Sequence, residues 1–166
     1  MKLKRLCVLA MLLAMAIVLS ILESLIPMFI PGVKLGLANV IILIMLYEFK
    51  IYEAFIVDLV RILLVGLLRG TIFAPTFFMS LSGGMLSFVV MLIFSRLKFF
   101  KVVGVSTLGS ISHCVGQIVV AMLILSTEAV IYYLPFIAIL SILTGVVSGL
   151  IATTYLKRSI TKKFIE

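Results

Sequence analysis

Four polar side chains interrupt two otherwise apolar stretches of this sequence, and their types could support chemistry. Asp58 and Arg61 stand three residues apart in one stretch, and His113 and Gln117 stand four apart in another. Residues with these spacings share one face of a helix. Carboxylate, guanidinium, imidazole and amide groups at membrane depth need a partner or a hydrated cavity. The two faces therefore predict a polar site between helices.

Depth along the helices brings further residues to the same level. At a rise of about 1.5 Å per residue, Arg61 lies roughly 15 Å and His113 roughly 17 Å from the inner ends of their helices. From other segments, Asn39, Ser80, Ser82, Gly83 and Gly84 reach comparable depths, and Lys34, Arg69 and Glu23 lie nearer the outer surface. We expect a pocket in the outer half of the bundle that suits an anionic or polar aromatic ligand.

Each of these residues also has a purely structural interpretation. Asp58 and Arg61 can neutralise one another, and His113 with Gln117 can form a hydrogen-bond clamp between helices. The Ser82-Gly83-Gly84 run can be a packing notch. Lys34 and Arg69 can simply extend their charges to water at the interface.

Membrane helices are expected to carry these residues. The chain has 166 residues, of which 64% are hydrophobic and 12% charged, and its mean hydropathy is +1.42. Such a composition indicates lipid as the solvent and leaves no room for a separate soluble domain. A bilayer core requires about 20 apolar residues per helix. The sequence predicts an all-α, six-helix membrane bundle in one domain (1–166), with helices at 6–26, 35–47, 51–68, 72–94, 102–125 and 129–156. The second helix is short, so we expect it to begin within the preceding loop (31–34) or to be sheltered by its neighbours.

The basic residues predict the orientation, because cytoplasmic ends carry the excess of Lys and Arg. With both termini inside, eleven lie on the inner side: Lys2, Lys4, Arg5, Lys50, Arg96, Lys98, Lys101, Lys157, Arg158, Lys162 and Lys163. Only Lys34 and Arg69 lie outside, and Arg61 lies within a helix. We therefore expect a multi-pass protein of the cell membrane. The basic N-terminus could indicate a signal peptide, but the apolar run continues past Ala14-Met15-Ala16 to Leu22.

Small residues form two rows that let helices approach closely. Ala10 and Ala14 lie one turn apart on the first helix. The sixth helix carries a ladder of Ser141, Gly145, Gly149 and Thr153. Most such rows are internal packing seams.

Several functions lack the residues they require. There is no GxxxxGK[ST] phosphate loop, so the chain cannot use ATP unaided. Asp58 is the only aspartate, which excludes a DDxxD magnesium site. One His and one Asp, both within helices, make no catalytic triad. The net charge of +8 is dispersed in short clusters, so we expect no nucleic-acid partner. We expect no metal, no cofactor and no enzymatic activity.

Four blocks of sequence carry a family resemblance: 31–39 (PGVKLGLAN), 61–64 (RILL), 78–87 (FMSLSGGMLS) and 104–117 (GVSTLGSISHCVGQ). In order and spacing they resemble the Gx transporter family, which is often labelled heptaprenyl diphosphate synthase component I in bacterial genomes. The resemblance covers nearly the whole chain. That family is similar to the six-helix S components of energy-coupling factor (ECF) transporters.

The resemblance implies a substrate-binding membrane subunit. In S components an AxxxA row on the first helix docks onto a transmembrane coupling subunit, and a pair of ATPases powers uptake. Ala10 and Ala14 match that row, and the first outer loop, with Lys34 and Asn39, would cover the substrate. Gene clusters of the family suggest a flavin, isoprenoid or quinone precursor as the ligand.

A second function remains open, in which the chain is a non-catalytic membrane subunit of a prenyl diphosphate synthase or a flavin-linked electron-transfer assembly. Association with an ATPase module would favour the first function. Association with a prenyl synthase or a flavoprotein would favour the second.

Overall fold

The fold is entirely helical. The computed structural model describes residues 2–25, 34–97, 99–126 and 128–158. Within these ranges it has six α-helices and one short 3₁₀ helix (Glu128–Tyr133). The α-helices are α1 (Lys2–Ser24), α2 (Asn39–Glu48), α3 (Ile51–Leu68), α4 (Pro75–Arg96), α5 (Val102–Leu125) and α6 (Leu134–Arg158). The predicted all-α class and the number of helices are confirmed.

Four segments are long and apolar enough to cross a membrane, namely Leu3–Ser24, Pro75–Arg96, Val102–Leu125 and Val130–Arg158. Their outer faces are largely aliphatic and aromatic, as lipid contact requires. The chain is therefore a multi-pass membrane protein by the length and composition of its helices.

Helices α2 and α3 differ from these four. Helix α2 has 10 residues and so rises only about 15 Å, half the thickness of a bilayer core. Its residues 39–45 are all buried, so the predicted shelter by neighbouring helices is confirmed. Helix α3 has 18 residues but contains Glu53, Asp58 and Arg61, which are all buried.

The predicted bounds of α3 and α5 agree with the structure, and the others shift by a few residues. Helix α2 begins at Asn39, so a start within the preceding loop is wrong. Helix α4 begins at Pro75 because proline has no N–H to lose and suits the first turn of a helix. Helix α6 begins at Leu134 after the 3₁₀ helix. For α1 the predicted end at Ile26 lies outside the described residues.

Helices α4, α5 and α6 approach one another through glycines. A Cβ atom on Gly116 of α5 would lie 2.9 Å from the Ser82 carbonyl oxygen of α4. On α6, a Cβ on Gly149 would lie 2.6 Å from the Cα of Val103 of α5. Both distances are shorter than a carbon contact allows, so only glycine permits this packing. The ladder on α6 is thus an internal seam against α5.

Helix α1 packs at the side of the bundle against α2 and α3. Its buried stripe runs through Leu12, Ala16, Ser20 and Glu23, whereas Ala10 and Ala14 lie on the exposed face. The ends of α1 and α3 are joined by an ion pair in which Arg5 Nη2 lies 2.7 Å from Glu53 Oε2. This end of the bundle also carries Lys4, Lys50, Arg96, Lys101, Lys157 and Arg158, and we name it the basic end.

Candidate functional site

A polar hollow lies at the opposite end of the bundle from the basic end, between α1, α3, α4, α5 and the segment that precedes α2. It is lined by Ser20, Glu23, Lys34, Gly36, Arg61, Ile62, Val65, Gly66, Arg69, Thr71, Thr76, Phe77, Ser80 and His113. The space between atoms totals about 500 Å³, but the centres of water molecules can occupy only about 30 Å³ of it. That is room for roughly two waters. A metabolite requires the wall of the hollow to move.

Arg61 of α3 is the buried cation of the hollow. Its Nη2 lies 2.5 Å from Asp58 Oδ1 and 3.4 Å from the Asn39 side-chain oxygen. Asn39 in turn donates to the Ser87 hydroxyl at 3.0 Å. The Asp58–Arg61 pair of the structural interpretation therefore exists, and Arg61 lines the hollow as well. Arg61 can therefore be paired with Asp58 and also contact a ligand in the hollow.

A hydrogen-bond relay fixes the orientation of His113. The backbone N–H of Lys34 donates to Gln117 Oε1 at 3.0 Å, which leaves Gln117 Nε2 as the donor toward His113 Nε2 at 3.1 Å. An imidazole that accepts at Nε2 carries its proton at Nδ1 when neutral. His113 thus offers an N–H donor at Nδ1.

The segment 34–37 is tied to three helices by side-chain hydrogen bonds. Glu23 of α1 accepts from the backbone N–H groups of Gly36 and Leu37, the latter at 3.2 Å. Thr144 of α6 donates to the Leu35 carbonyl at 3.2 Å, in addition to the Lys34–Gln117 bond to α5. Gly36 has φ +84°, a conformation that favours glycine. This segment closes one wall of the hollow.

Three buried polar atoms around the hollow have no hydrogen-bond partner among the described residues. They are Arg61 Nε, His113 Nδ1 and Thr76 Oγ1, and all three residues line the hollow. The Gly83 backbone lies near His113, but the contact does not meet hydrogen-bond geometry. Buried donors are normally satisfied, because an unpaired one costs about 1–3 kcal/mol. Their convergence is the arrangement that an anionic or strongly polar ligand would satisfy.

The charges of the hollow also favour an anion. Lys34, Arg61 and Arg69 line it, against one carboxylate, Glu23. Asp58 reduces the surplus through its pair with Arg61. Burial lowers the pKa of Lys34 to about 8, with Glu23 opposing the shift and the two arginines adding to it. A bound anion would favour the charged ammonium.

Gly83 and Gly84 of α4 form the close wall behind these side chains. A Cβ on Gly83 would lie 2.8 Å from both the His113 carbonyl oxygen and Gln117 Cγ. A Cβ on Gly84 would lie 2.7 Å from Ile62 Cδ1 and 3.7 Å from Arg61 Nη2. The two glycines let α4 approach α5 and α3 at the level of the polar cluster.

The residues predicted from the sequence fall into three groups. Lys34, Arg61, Ser80 and His113 line the hollow. Asn39, Asp58, Gln117, Gly83 and Gly84 contact or support those residues without lining it. Ser82 donates to the Gly116 carbonyl at 2.9 Å and belongs to the α4–α5 seam. Their roles in binding stay predictions.

Sequence reasoning missed several lining residues: Ser20, Gly36, Thr71, Thr76 and Phe77. Ser20 was detectable, because it continues the i, i+4 stripe of Leu12 and Ala16 toward Glu23 on α1. Thr76 gave no signal, since a single threonine in the first turn of a helix is ordinary.

No group of three or more His, Cys, Asp or Glu side chains within residues 2–25, 34–97, 99–126 and 128–158 could hold a metal ion. Ala10 and Ala14 lie on the exposed face of α1 and do not line the hollow, and their docking role stays a prediction.

Residues 12–155 match the model of the family described as heptaprenyl diphosphate synthase component I. The match covers most of the chain, which confirms the resemblance drawn from the four sequence blocks. The chain matches no curated protein and no solved structure.

Proposed function

Because the chain belongs to the heptaprenyl diphosphate synthase component I family and has a cationic hollow between its helices, we propose that it is a substrate-binding membrane subunit of a transporter and not itself an enzyme. It captures a small anionic or polar metabolite in the hollow, and a partner module that hydrolyses ATP powers its uptake. The three unpartnered donors on Arg61, His113 and Thr76 carry this proposal.

The direction of transport follows from charge. The basic end faces the cytoplasm, because seven described Lys and Arg residues gather there: Lys4, Arg5, Lys50, Arg96, Lys101, Lys157 and Arg158. The hollow then faces outward, and both termini are cytoplasmic. All six helices take part in the S-component-like bundle, in which the other helices shelter α2, while α3 presents Ile56, Leu63 and Leu67 to the surroundings.

Docking uses the exposed face of α1. Ala10 and Ala14 are small and exposed there, so a partner helix can approach the α1 backbone closely. The partner is a transmembrane coupling subunit associated with a pair of ATPases. Changing both alanines to leucine should abolish association with that module and leave the fold unchanged.

The decisive experiment removes one unpartnered donor. Thr76→Val deletes a hydroxyl that makes no internal hydrogen bond, so the fold should keep its stability while ligand affinity falls roughly tenfold. The measurement is the thermal stabilisation of the purified protein by flavins, isoprenoid phosphates, aromatic quinone precursors, inorganic phosphate and acetate. Thr153→Val is the matched control, because that hydroxyl bonds to the Gly149 carbonyl of its own helix.

Mass spectrometry of compounds released from the purified protein should identify the bound metabolite. His113→Ala should abolish its retention. A ligand retained equally by wild type, Thr76→Val and His113→Ala would show that the hollow is not the binding site.

The family name supports a second candidate, a non-catalytic membrane subunit of a prenyl diphosphate synthase. Pull-down from native membranes separates the two. Recovery of a prenyl synthase in place of an ATPase module, unaffected by bulky residues at positions 10 and 14, would favour the second candidate.

A further inference from the structure

A second concave surface lies at the basic end, far from the polar hollow. This groove runs between the corner that joins α2 to α3 and the C-terminal end of α4. It is lined by Phe49, Lys50, Ile51, Tyr52, Phe55, Phe88 and Arg96, and its space totals about 960 Å³. Unlike the hollow, it is widely open.

Aromatic rings form the floor of the groove. The Phe55 and Phe88 rings meet edge to face, with centroids 5.4 Å apart. Phe88 is 4% exposed and Phe49 is 9% exposed, so both are fixed by the core. A rigid apolar floor of this kind suits a hydrocarbon chain better than a hydrated ligand.

Two cations stand at the rim of this floor. Lys50 and Arg96 are both exposed, and Lys50 Nζ lies 5.8 Å from the centroid of the Tyr52 ring. Among the described residues, Arg96 forms no ion pair. The groove combines an apolar floor with a positive rim.

No carboxylate neutralises that rim from within the lining. Two carboxylates flank this corner in sequence, Glu48 and Glu53, and neither lines the groove. Glu53 accepts from Arg5 Nη2 at 2.7 Å and from the Lys50 backbone N–H at 3.0 Å. Its oxygen Oε2 is engaged in both bonds, and the residue does not line the groove. The positive charge of Lys50 and Arg96 is therefore available to an outside anion.

We propose that this groove binds an anionic phospholipid of the surrounding bilayer. The phosphate of the headgroup contacts Lys50 and Arg96, and an acyl chain lies over Phe55 and Phe88. The groove is at the level where a lipid headgroup occurs, because Arg96 is the last residue of a membrane-length helix. Basic clusters and aromatic rings at such a level recognise acidic headgroups by charge and acyl chains by contact. This proposal does not depend on the transport function.

The test measures lipid binding to the delipidated, full-length protein by native mass spectrometry. The probes are phosphatidylglycerol and phosphatidylcholine with identical acyl chains. We expect phosphatidylglycerol to bind at least fivefold more tightly. Lys50→Gln and Arg96→Gln should each weaken its binding roughly fivefold and weaken that of phosphatidylcholine, whose choline offsets the charge of its phosphate, by less than about twofold.

Lys157→Gln is the matched control, because it removes an exposed cation of the same end that does not line the groove. Lys157→Gln should leave the affinities for phosphatidylglycerol and for phosphatidylcholine unchanged. Equal binding of the two lipids, or unchanged phosphatidylglycerol binding in the Lys50→Gln/Arg96→Gln double variant, would overturn the proposal.

A competition experiment distinguishes the sources of a phosphate-bearing ligand. Inorganic phosphate should not displace phosphatidylglycerol, since it has no chain for the aromatic floor. Farnesyl diphosphate should compete no better than phosphatidylglycerol itself. Displacement by inorganic phosphate, or by farnesyl diphosphate at far lower concentrations, would refute a phospholipid site and assign the groove to that competitor.

Discussion

The two ends of the bundle use cations in opposite ways. At the hollow, Arg61 is 4% exposed and its guanidinium is held by Asp58 and Asn39. At the basic end, Arg96 is exposed and has no ionic partner among the described residues. A buried charge must be matched group by group, whereas an exposed one is stabilised by water. The guanidinium of Arg61 is therefore held in one position by protein groups, whereas that of Arg96 is free to move in solvent.

The largest expected difference between the two ends is in the free energy of unfolding when one arginine is replaced, Arg61 at the hollow or Arg96 at the basic end. Arg61→Met leaves Asp58 buried without its partner and should lower the free energy of unfolding by about 3–5 kcal/mol. Arg96→Met should change it by less than about 0.5 kcal/mol. Unfolding by SDS in mixed micelles measures both. Adding Asp58→Asn to Arg61→Met should recover part of the loss, and equal effects of the two arginine variants would remove the distinction between the ends.

Glycine at the hollow provides the next test. Gly83→Ala puts a methyl group 2.8 Å from the His113 carbonyl oxygen and should cost about 1–3 kcal/mol of stability. Gly104→Ala, near the basic end, meets only Phe100 Cδ1 at 3.5 Å and should be neutral or raise stability by up to about 1 kcal/mol. The same unfolding assay compares them. If Gly83→Ala kept the free energy of unfolding of the wild type, α4 and α5 would be able to separate easily at the hollow.

Each end of the bundle also has a buried carboxylate that accepts backbone hydrogen bonds, Glu23 at the hollow and Glu53 at the basic end. Glu23→Gln keeps an acceptor but removes the charge that holds the Gly36 and Leu37 amides. Hydrogen exchange at those amides should accelerate roughly fivefold to tenfold. Glu53→Gln should have a smaller effect on the exchange of Lys50, because water screens its partner Arg5, whose side chain is 34% exposed. Unchanged exchange in Glu23→Gln would show that the segment 34–37 is held by other bonds.

The smallest expected effect is a pH dependence of anion binding. Because the pKa of Lys34 is lowered to about 8, the site loses positive charge as the pH rises through that value. Anion affinity should be highest below pH 8 and fall by less than about threefold between pH 8 and pH 9.5. Isothermal titration between pH 6.5 and 9.5 measures this. Lys34→Gln should bind more weakly and lose the dependence, and a wild-type affinity independent of pH would remove Lys34 from the ligand's surroundings.

Most of the fold was predictable because lipid imposes strong rules on sequence. Apolar length located every helix, and the bounds of α3 and α5 are correct because charged or glycine-rich turns delimit them. The start of α2 was not predictable. Residues 35–38 are as apolar as the helix that follows. The positive φ of Gly36 and the hydrogen bonds of the segment to Glu23, Gln117 and Thr144 hold them out of it.

The site was predictable where the sequence carries a rare residue type. A charge or an imidazole inside an apolar helix is conspicuous, so Arg61 and His113 were identified. Thr76 was not, because hydroxyl residues occur throughout the chain and only three-dimensional packing shows that this one faces the hollow. The relay from Lys34 through Gln117 also depends on a backbone group, which no side-chain pattern can indicate.

The segment 34–37 connects the hollow to helix α1. Its bond to Glu23 places it in contact with α1, a single unbroken helix of 23 residues. Ala14 lies nine residues from Glu23, about 14 Å along the axis. A ligand that displaces the segment would move the C-terminal end of α1. Ala10 and Ala14 lie on the same continuous helix and would move with it. Under the proposed function, we expect ligand binding in the hollow to change the position of the α1 face that carries Ala10 and Ala14.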